Sequence, residues 1–209
     1  MPFTRGAWPG TGRAVVALAV ILGRAELADA QNDRQPETVR GTELAIAAGG
    51  ATTSTHTGPI VAGVAEWQFS RWLSGEARAG WLDRGPAAQA FTADVGGVLN
   101  LMAQRSVTPI VGLGVGLYRA SFDSEAARMS DFYRRRLSAR PGPTATGRSF
   151  TDPAIRVTAG LDFLVGRRLS VRPEAAALMV HGDGRRETIG TVNLRVGYRF
   201  EDRPITPAR

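Results

Sequence analysis

Side chains suited to nucleophilic or metal chemistry are scarce in this chain of 209 residues. It has no cysteine, so neither disulfides nor thiolate metal sites are possible. Its two histidines, His56 and His181, lie far apart in the sequence, in or near separate predicted loops. A zinc site brings several ligands together, and a hydroxyl nucleophile needs an adjacent base. We therefore expect no catalytic residues, no metal site and no cofactor.

Arginine provides every basic side chain of this sequence, whose formal net charge is +7. Most arginines are spread along the chain and alternate with apolar residues, which does not favour a nucleic-acid surface. The exception is the run Arg134, Arg135 and Arg136. Because guanidinium groups bind phosphate through paired hydrogen bonds, the run is a predicted anion contact for lipopolysaccharide. A solvated loop without a ligand is the alternative.

The segment that carries this run, residues 121–149, is the longest predicted connector. Residues 124–138 are predicted to form a short helix with Asp123 or Ser124 as its N-cap. The glycine repeat at residues 112–116 does not open a helix, as a phosphate-binding loop does. We interpret these glycines as small residues that face a crowded interior.

The N-terminus has the features of a secretory signal peptide. Arg5 and Arg13 precede an apolar run at residues 14–23, and an A-x-A site follows at Ala28 and Ala30. Ten apolar residues are too few for a membrane-spanning helix, which needs about 20. We predict cleavage after Ala30 and export through the inner membrane.

From Thr42 onward the apolar residues recur with a period of two, which is the period of a β-strand. The pattern is clearest in residues 91–101 and 191–200 and weakest in the first two of eight predicted strands. Short predicted connectors, such as Ser70 and Arg71, alternate with longer ones, such as the predicted loop at residues 182–187. This pattern predicts an eight-stranded antiparallel up-and-down transmembrane β-barrel with outer loops and periplasmic turns.

Alternation alone does not decide which face points outward, and a soluble ligand-binding barrel would turn its apolar face inward. Aromatic residues on the apolar face lie near strand ends, as the aromatic girdles of membrane barrels do. The predicted girdle is Trp67, Phe69, Trp81, Phe91, Phe163, Tyr198 and Phe200. The opposite face has balanced charges, which predict a paired network filling a narrow lumen. These charged residues are Glu76, Arg78, Asp94, Arg156, Asp162, Arg172, Glu174 and Arg195.

The pattern resembles the OmpA-like and OmpX-like family of small outer-membrane barrels over residues 42–200. Its most specific part is the last strand, residues 191–200, which is similar to the terminal strand that the barrel-assembly machinery recognises. The resemblance implies an outer-membrane location, with the assembly machinery and outer-membrane lipid, including lipopolysaccharide, as partners. The expected organisation is a signal peptide (1–30), a periplasmic linker (31–41), the barrel (42–200) and a loose tail (201–209).

The predicted function is that of a non-enzymatic barrel with a structural or surface-contact role, which acts through the connector 121–149. We expect the protein to be a monomer. The first alternative is a lipid-modifying enzyme, since the lipid A deacylases resemble this architecture and use a His and a Ser two residues apart. Here Asp183, rather than a serine, lies two residues after His181. A soluble periplasmic ligand-binding barrel is the second alternative.

Overall fold

The computed structural model describes residues 38–54, 56–85, 87–102, 106–122, 130–138, 148–165, 168–200 and 202–204. The predicted signal peptide with Ala28 and Ala30 lies outside the described residues, as does the predicted helix cap at Asp123 or Ser124. None of the helical residues described belongs to a helix long and apolar enough to cross a membrane.

Eight antiparallel strands form a closed barrel in which each strand pairs with its neighbours in sequence and the last pairs with the first. The predicted up-and-down architecture is therefore confirmed. Closure leaves no unpaired strand edge, since every backbone ladder has a partner. The barrel strands are β2 (Thr42–Thr52), β3 (Thr57–Gln68), β4 (Leu73–Asp83), β5 (Ala88–Asn100), β6 (Val107–Phe122), β7 (Arg148–Val165), β8 (Leu169–Gly182) and β9 (Arg185–Arg199).

Three further elements lie outside the barrel ladder: β1 (Thr38–Arg40), β10 (Asp202–Pro204) and the helix α1 (Asp131–Ser138). Strands β1 and β10 pair with each other in an antiparallel two-stranded sheet. The expectation of a loose tail is therefore wrong for residues 202–204, because their backbone has a ladder partner in the preceding linker. We call the barrel end next to this sheet the terminus end and the opposite end the loop end.

The predicted contrast between long and short connectors holds for one connector only. At the loop end the connectors are residues 53–56, 84–87, 123–147 and 183–184, and at the terminus end they are 69–72, 101–106 and 166–168. The predicted loop at residues 182–187 is wrong, because β8 and β9 continue almost to their tip. Asp183 and Gly184 both have positive φ angles, 50° and 71°, the backbone of a two-residue type I′ hairpin turn.

Helix α1 begins at Asp131, later than the predicted start of a helix spanning residues 124–138. Ser130 is not helical, and its carbonyl accepts hydrogen bonds from the backbone N–H groups of Tyr133 (3.1 Å) and Arg134 (3.0 Å). The predicted span is therefore wrong as one continuous helix, because it is interrupted at Ser130. An acidic residue in the first turn and arginines in the last favour the helix through its dipole.

The apolar face of the strands points outward, as the girdle aromatics predict. Val192 is 68% exposed and Leu113 is 60% exposed, whereas inward-facing Arg195 is fully buried. This distribution is the reverse of a soluble protein, in which large apolar side chains fill the interior. It excludes the alternative of an apolar ligand cavity inside the barrel.

Candidate functional site: a lumen filled in two layers

The half of the lumen nearer the terminus end is filled by charged side chains that cross it from strand to strand. We call these residues the lumen network. Its members are Glu43, Glu66, Glu76, Asp94, Asp162, Glu174, Arg78, Arg156, Arg172, Arg195 and Arg199.

Arg195, on β9, makes the most hydrogen bonds to carboxylates in the lumen network. Its Nη1 donates to Glu76 Oε2 at 2.7 Å, and its Nη2 reaches Glu43 Oε1 at 2.9 Å and Glu66 Oε2 at 2.8 Å. The three carboxylates come from β2, β3 and β4. One guanidinium therefore ties four strands together, using the fork of donors that distinguishes arginine from lysine.

Arg156, on β7, links the network across the barrel to β4 and β5. Its Nε donates to Asp94 Oδ1 at 2.8 Å, its Nη1 donates to Thr158 Oγ1 at 2.6 Å, and its Nη2 pairs with Glu76. Buried charges of this kind stabilise only when each has a partner, because desolvation costs several kcal/mol per ion. The geometry meets that requirement for Arg156.

The terminus-end mouth of the lumen is crossed by two further arginines. Arg199 pairs with Glu43 and Asp162, both at 2.8 Å. Arg172 pairs with Glu66 at 2.9 Å and lies 3.7 Å from Asp162. These pairs place side chains across the opening, so the lumen is occupied up to its rim at this end.

All eight residues of the predicted charge network line the interior, and each of them pairs with at least one other of the eight. Arg78, for example, pairs with Glu174 across the lumen. Glu43, Glu66 and Arg199 were missed. Each has inward parity in its strand, so an extension of the alternation through the weaker first two strands and to the end of the last would have found them.

The half of the lumen nearer the loop end is filled by apolar side chains. We call this cluster, which includes two residues of α1, the apolar cap. Its members are Ala51, Ile60, Leu82, Ala88, Ala90, Tyr118, Ala120, Phe122, Phe132, Tyr133, Ala154, Leu178, Val180 and Ile189.

Helix α1 closes the apolar cap with Phe132 and Tyr133, which are both buried. The Tyr133 ring centroid lies 4.7 Å from that of Phe132, 5.1 Å from that of Phe122 and 5.4 Å from that of Phe150. Tilted and edge-on contacts at these separations add to the burial energy. The helix therefore lies in the mouth of the barrel, held by aromatic packing.

Arg136 fastens the last turn of α1 to the barrel. It pairs with Asp152 Oδ2 at 2.7 Å and with Asp183 Oδ2 at 2.6 Å, and its guanidinium lies 4.7 Å from the ring centroid of Phe150. The hydrogen bond to Asp152, the largest contribution, raises the pKa of Arg136 above its usual value. The three arginines therefore do not form one anion contact as predicted, because Arg136 is already paired with two carboxylates.

Arg134 and Arg135 differ from Arg136 in their placement, since both are exposed. Arg134 lies 3.7 Å from Asp131, one helical turn earlier. Successive helical residues point about 100° apart, so three consecutive arginines cannot share one face of α1. The run of three arginines in the sequence indicated a local positive charge. It did not show that Arg136 would pair with carboxylates of the barrel while Arg134 and Arg135 stay exposed.

Beneath α1, one ion pair lies among the aromatic rings. Arg84 Nη2 is 3.1 Å from Glu187 Oε1, and the guanidinium carbon of Arg84 lies 5.9 Å from the ring centroids of both Tyr118 and Tyr133. The two tyrosine hydroxyls are buried and have no hydrogen-bond partner among the described residues. Burial raises the pKa of the Tyr133 hydroxyl above its usual value.

Five of the seven predicted girdle aromatics lie on the outward face of a strand. The other two, Phe69 and Phe200, lie just after the ends of β3 and β9. Trp67, Phe69, Phe163, Tyr198 and Phe200 are near the terminus end, and Trp81 and Phe91 are near the loop end, where they are register partners. Trp72, which is exposed in the connector 69–72, was missed because the sequence pattern was counted on strands alone.

One glycine is required by this girdle. A Cβ atom on Gly75 would lie 2.7 Å from Trp67 Nε1 and 3.0 Å from Phe69 Cε2, so any larger residue would displace the Trp67 ring. The glycine therefore gives Trp67 its position on the barrel wall.

Among the described residues, no ion pair joins the side chain of either histidine to an acid. His181 is exposed on the outer wall and lies opposite Arg186 in the ladder, while Asp183 is paired with Arg136. His56 lies in the connector 53–56 at the same end of the barrel. Within the described ranges, no three His, Asp or Glu side chains are grouped as metal ligands.

A filled lumen, an apolar outer wall and eight closed strands define the class: this chain has the fold of the small eight-stranded outer-membrane β-barrels. It aligns with Neisserial surface protein A with a TM-score of 0.58 at 15% identity, over 76% of this chain and 96% of that one. No protein-family model and no curated protein matches the chain.

Two further solved structures align less closely. The attachment invasion locus protein Ail of Yersinia pestis has a TM-score of 0.49 at 15% identity, covering 78% of this chain and 99% of that one. The outer membrane enzyme PagL has a TM-score of 0.45 at 16% identity, covering 74% and 97%. At such identities the likeness concerns the fold alone.

Proposed function

We propose that the chain is a non-enzymatic protein of the bacterial outer membrane, a closed scaffold that presents its loop end to the outside. The observation that carries this proposal is the inverted distribution of polarity. Large apolar side chains cover the outer wall, and paired charges fill the interior. Apolar side chains on the outer wall would be favourable in contact with lipid hydrocarbon and unfavourable in contact with water.

A closed lumen follows from the two layers of filling. An eight-stranded barrel is only wide enough for its own side chains, and here the lumen network and the apolar cap lie one above the other. Solute transport is therefore not the proposed role. A structural or surface-contact role through the loop end is the alternative that remains for a scaffold of this kind.

The location and export route are part of the same proposal. Residues 1–30 would direct export and be removed, the assembly machinery would insert the barrel, and the folded protein would be a monomer. The terminus-end sheet of β1 and β10 would then face the periplasm, since both chain ends lie opposite the long connector 123–147.

The decisive test is a heat-modifiability gel on membrane fractions of cells that express the full chain. Folded outer-membrane barrels migrate differently before and after boiling. We expect the chain in the outer-membrane fraction with a shift on boiling. A soluble chain without a shift would contradict the proposed membrane location.

The absence of catalysis is tested separately. Mass spectra of lipid A from cells with and without the gene should be identical, because Asp183, two residues after His181, is an acid rather than a serine and pairs with Arg136. A change in acyl chains or head groups that depends on the gene would overturn this part of the proposal and favour a lipid-modifying enzyme.

A further inference from the structure

Helix α1 covers a surface at the loop end that five other segments of the chain form. We call this surface the α1 seat. Its residues come from the connector 84–87, β6, β7, the connector 183–184 and β9. They are Arg84, Tyr118, Phe150, Asp152, Asp183 and Glu187. The seat is therefore built by the barrel strands and their turns, and α1 is what occupies it.

The charges of the α1 seat require a cation from its occupant. Three carboxylates and one guanidinium give the seat a formal net charge of −2. Arg84 pairs with Glu187, whereas Asp152 and Asp183 pair with Arg136 of α1, at 2.7 Å and 2.6 Å. Among the described residues, neither Asp152 nor Asp183 has another ion pair. Because Asp152 is buried, an occupant without a cation would leave its charge unpaired, which is costly.

The rings of the seat favour an aromatic group beside that cation. The Arg136 guanidinium lies 4.7 Å from the ring centroid of Phe150, and the Tyr133 ring centroid lies 5.4 Å from it. A cation over a ring and a tilted ring pair are both attractive at such separations. Gly182 leaves space for the guanidinium, since a Cβ atom there would lie 2.8 Å from Arg136 Nη1. The seat therefore fits an arginine beside an aromatic side chain.

Helix α1 covers two polar groups of the seat without pairing them. Arg84 Nη1 and the Tyr118 hydroxyl are buried and have no hydrogen-bond partner among the described residues. The Tyr133 ring lies over Arg84, with its centroid 5.9 Å from the guanidinium carbon. A buried donor without an acceptor lowers stability. The helix is therefore an imperfect occupant, and a segment that brings acceptors to these two donors would fit the seat better.

From these contacts we infer that the α1 seat binds a peptide segment of another protein that presents an arginine beside an aromatic residue, and that this segment displaces α1. The arginine of the segment pairs with Asp152 and Asp183, and its aromatic ring packs against Phe150. Main-chain carbonyl groups of the segment accept hydrogen bonds from Arg84 and Tyr118. The inference rests on the proposed function, because it names the partner of the loop end in a surface-contact role.

Competition by α1 lowers the affinity of the wild-type chain for such a segment. A tethered occupant acts at an effective concentration on the order of millimolar, and an external segment must outcompete it. Variants that free the seat should therefore bind the segment more tightly than wild type does. A gain of affinity on removing side chains of α1 is expected of a binding site and not of a contact that only stabilises the mouth.

The test measures binding of a fluorescently labelled synthetic peptide with the sequence of residues 130–138. The full chain is refolded in phosphatidylcholine vesicles, and binding is followed by fluorescence anisotropy. The variant F132A/R136Q, which removes the two main contacts of α1, should bind the peptide at least about tenfold more tightly than wild type. Adding D152N/D183N to that variant should weaken binding at least about tenfold, because the peptide arginine loses its partners. A scrambled peptide of the same composition, the matched control, should bind none of these chains.

Four results would overturn the inference. They are equal binding by wild type and F132A/R136Q, no binding by either, unchanged binding after D152N/D183N, and equal binding of the scrambled peptide. Dimers of wild type that exchange α1 would also overturn it, since the partner would then be a second copy of the chain. The heat-shift gel is run on every sample, and R136Q alone replaces a double variant that fails to fold. A wild-type chain without a heat shift contradicts the proposed membrane location instead, so the two failures are distinguishable.

Discussion

The two halves of the lumen are both filled by side chains, but the side chains differ in chemistry. Towards the terminus end, the lumen network fills the space with arginines and carboxylates that the strands alone supply. Towards the loop end, the apolar cap fills it with alanines and branched side chains, and α1 completes the packing from a connector. The charged half therefore depends on pairing between strands, and the apolar half depends on a segment that must fold back into the barrel.

This difference predicts that substitutions in the two halves affect different parts of the protein. A lost partner in the lumen network leaves a buried charge inside the barrel, which destabilises the whole ladder. A lost contact in the apolar cap can be relieved by release of α1, which leaves the ladder intact. The predictions below test this contrast, in order of decreasing effect.

Replacement of Arg195 should have the largest effect. Arg195→Met leaves Glu43, Glu66 and Glu76 without their shared partner, and breaking a buried pair costs about 3–5 kcal/mol. Urea unfolding in lipid vesicles, followed by tryptophan fluorescence, should show this loss of unfolding free energy. The control Arg185→Met, an exposed arginine at the hairpin tip, should change it by no more than about 0.5 kcal/mol. Equal effects would contradict the role of the network.

Removing both members of one pair should cost less than removing one. Arg78→Met and Glu174→Met each leave a buried charge, so we expect about 3 kcal/mol for either single variant. The double variant replaces the pair by apolar side chains, and its loss should be smaller than either single loss. A double-mutant cycle on the same unfolding measurement gives the coupling energy. Additive losses would show that the two side chains act independently.

Loosening the apolar cap should expose α1 without unfolding the barrel. Phe132→Ala removes a buried ring at a cost of about 3 kcal/mol, so trypsin should cleave after the α1 arginines roughly a hundredfold faster. The urea midpoint of the barrel should stay at the wild-type value. Phe69→Ala, an exposed aromatic at the other end, is the matched control and should not alter this cleavage. If Phe132→Ala lowered the unfolding free energy of the barrel as much as Arg195→Met, the proposed difference between the two halves would be contradicted.

Alkaline pH should release α1 through Tyr133. Burial raises the pKa of this hydroxyl, so the folded state keeps its proton above the usual tyrosine pKa of about 10. The stabilisation is complete below that pH and is lost as the pH rises through the folded pKa. Trypsin cleavage of α1 should therefore accelerate above about pH 10 in wild type and less in Tyr133→Phe. At neutral pH this variant should behave as wild type, because its lost hydroxyl has no described partner.

The sequence predicted the charged half of the lumen better than the apolar half for a physical reason. Strand alternation assigns a face to each residue before any packing is known, so residues such as Asp94 and Arg156 were placed by parity alone. The position of α1 in the mouth of the barrel depends on contacts of Phe132 and Tyr133 with strands distant in the sequence. No local pattern contains that information.

Turns and termini were the other limit of sequence reasoning. Gly182, Asp183 and Gly184 are typical both of a loose loop and of a tight hairpin, and the ladder register decides between them. The pairing of Thr38–Arg40 with Asp202–Pro204 joins opposite ends of the chain. Such pairing follows only once the barrel has brought the two ends together.

The closed lumen is tested most directly by conductance measurements on the full chain refolded into planar bilayers, with folding verified by the heat-shift gel. The network and the cap together predict no resolved channel openings above the background of the bilayer. Stable, large conductance steps from the wild-type protein would contradict the filled lumen and make the chain a pore.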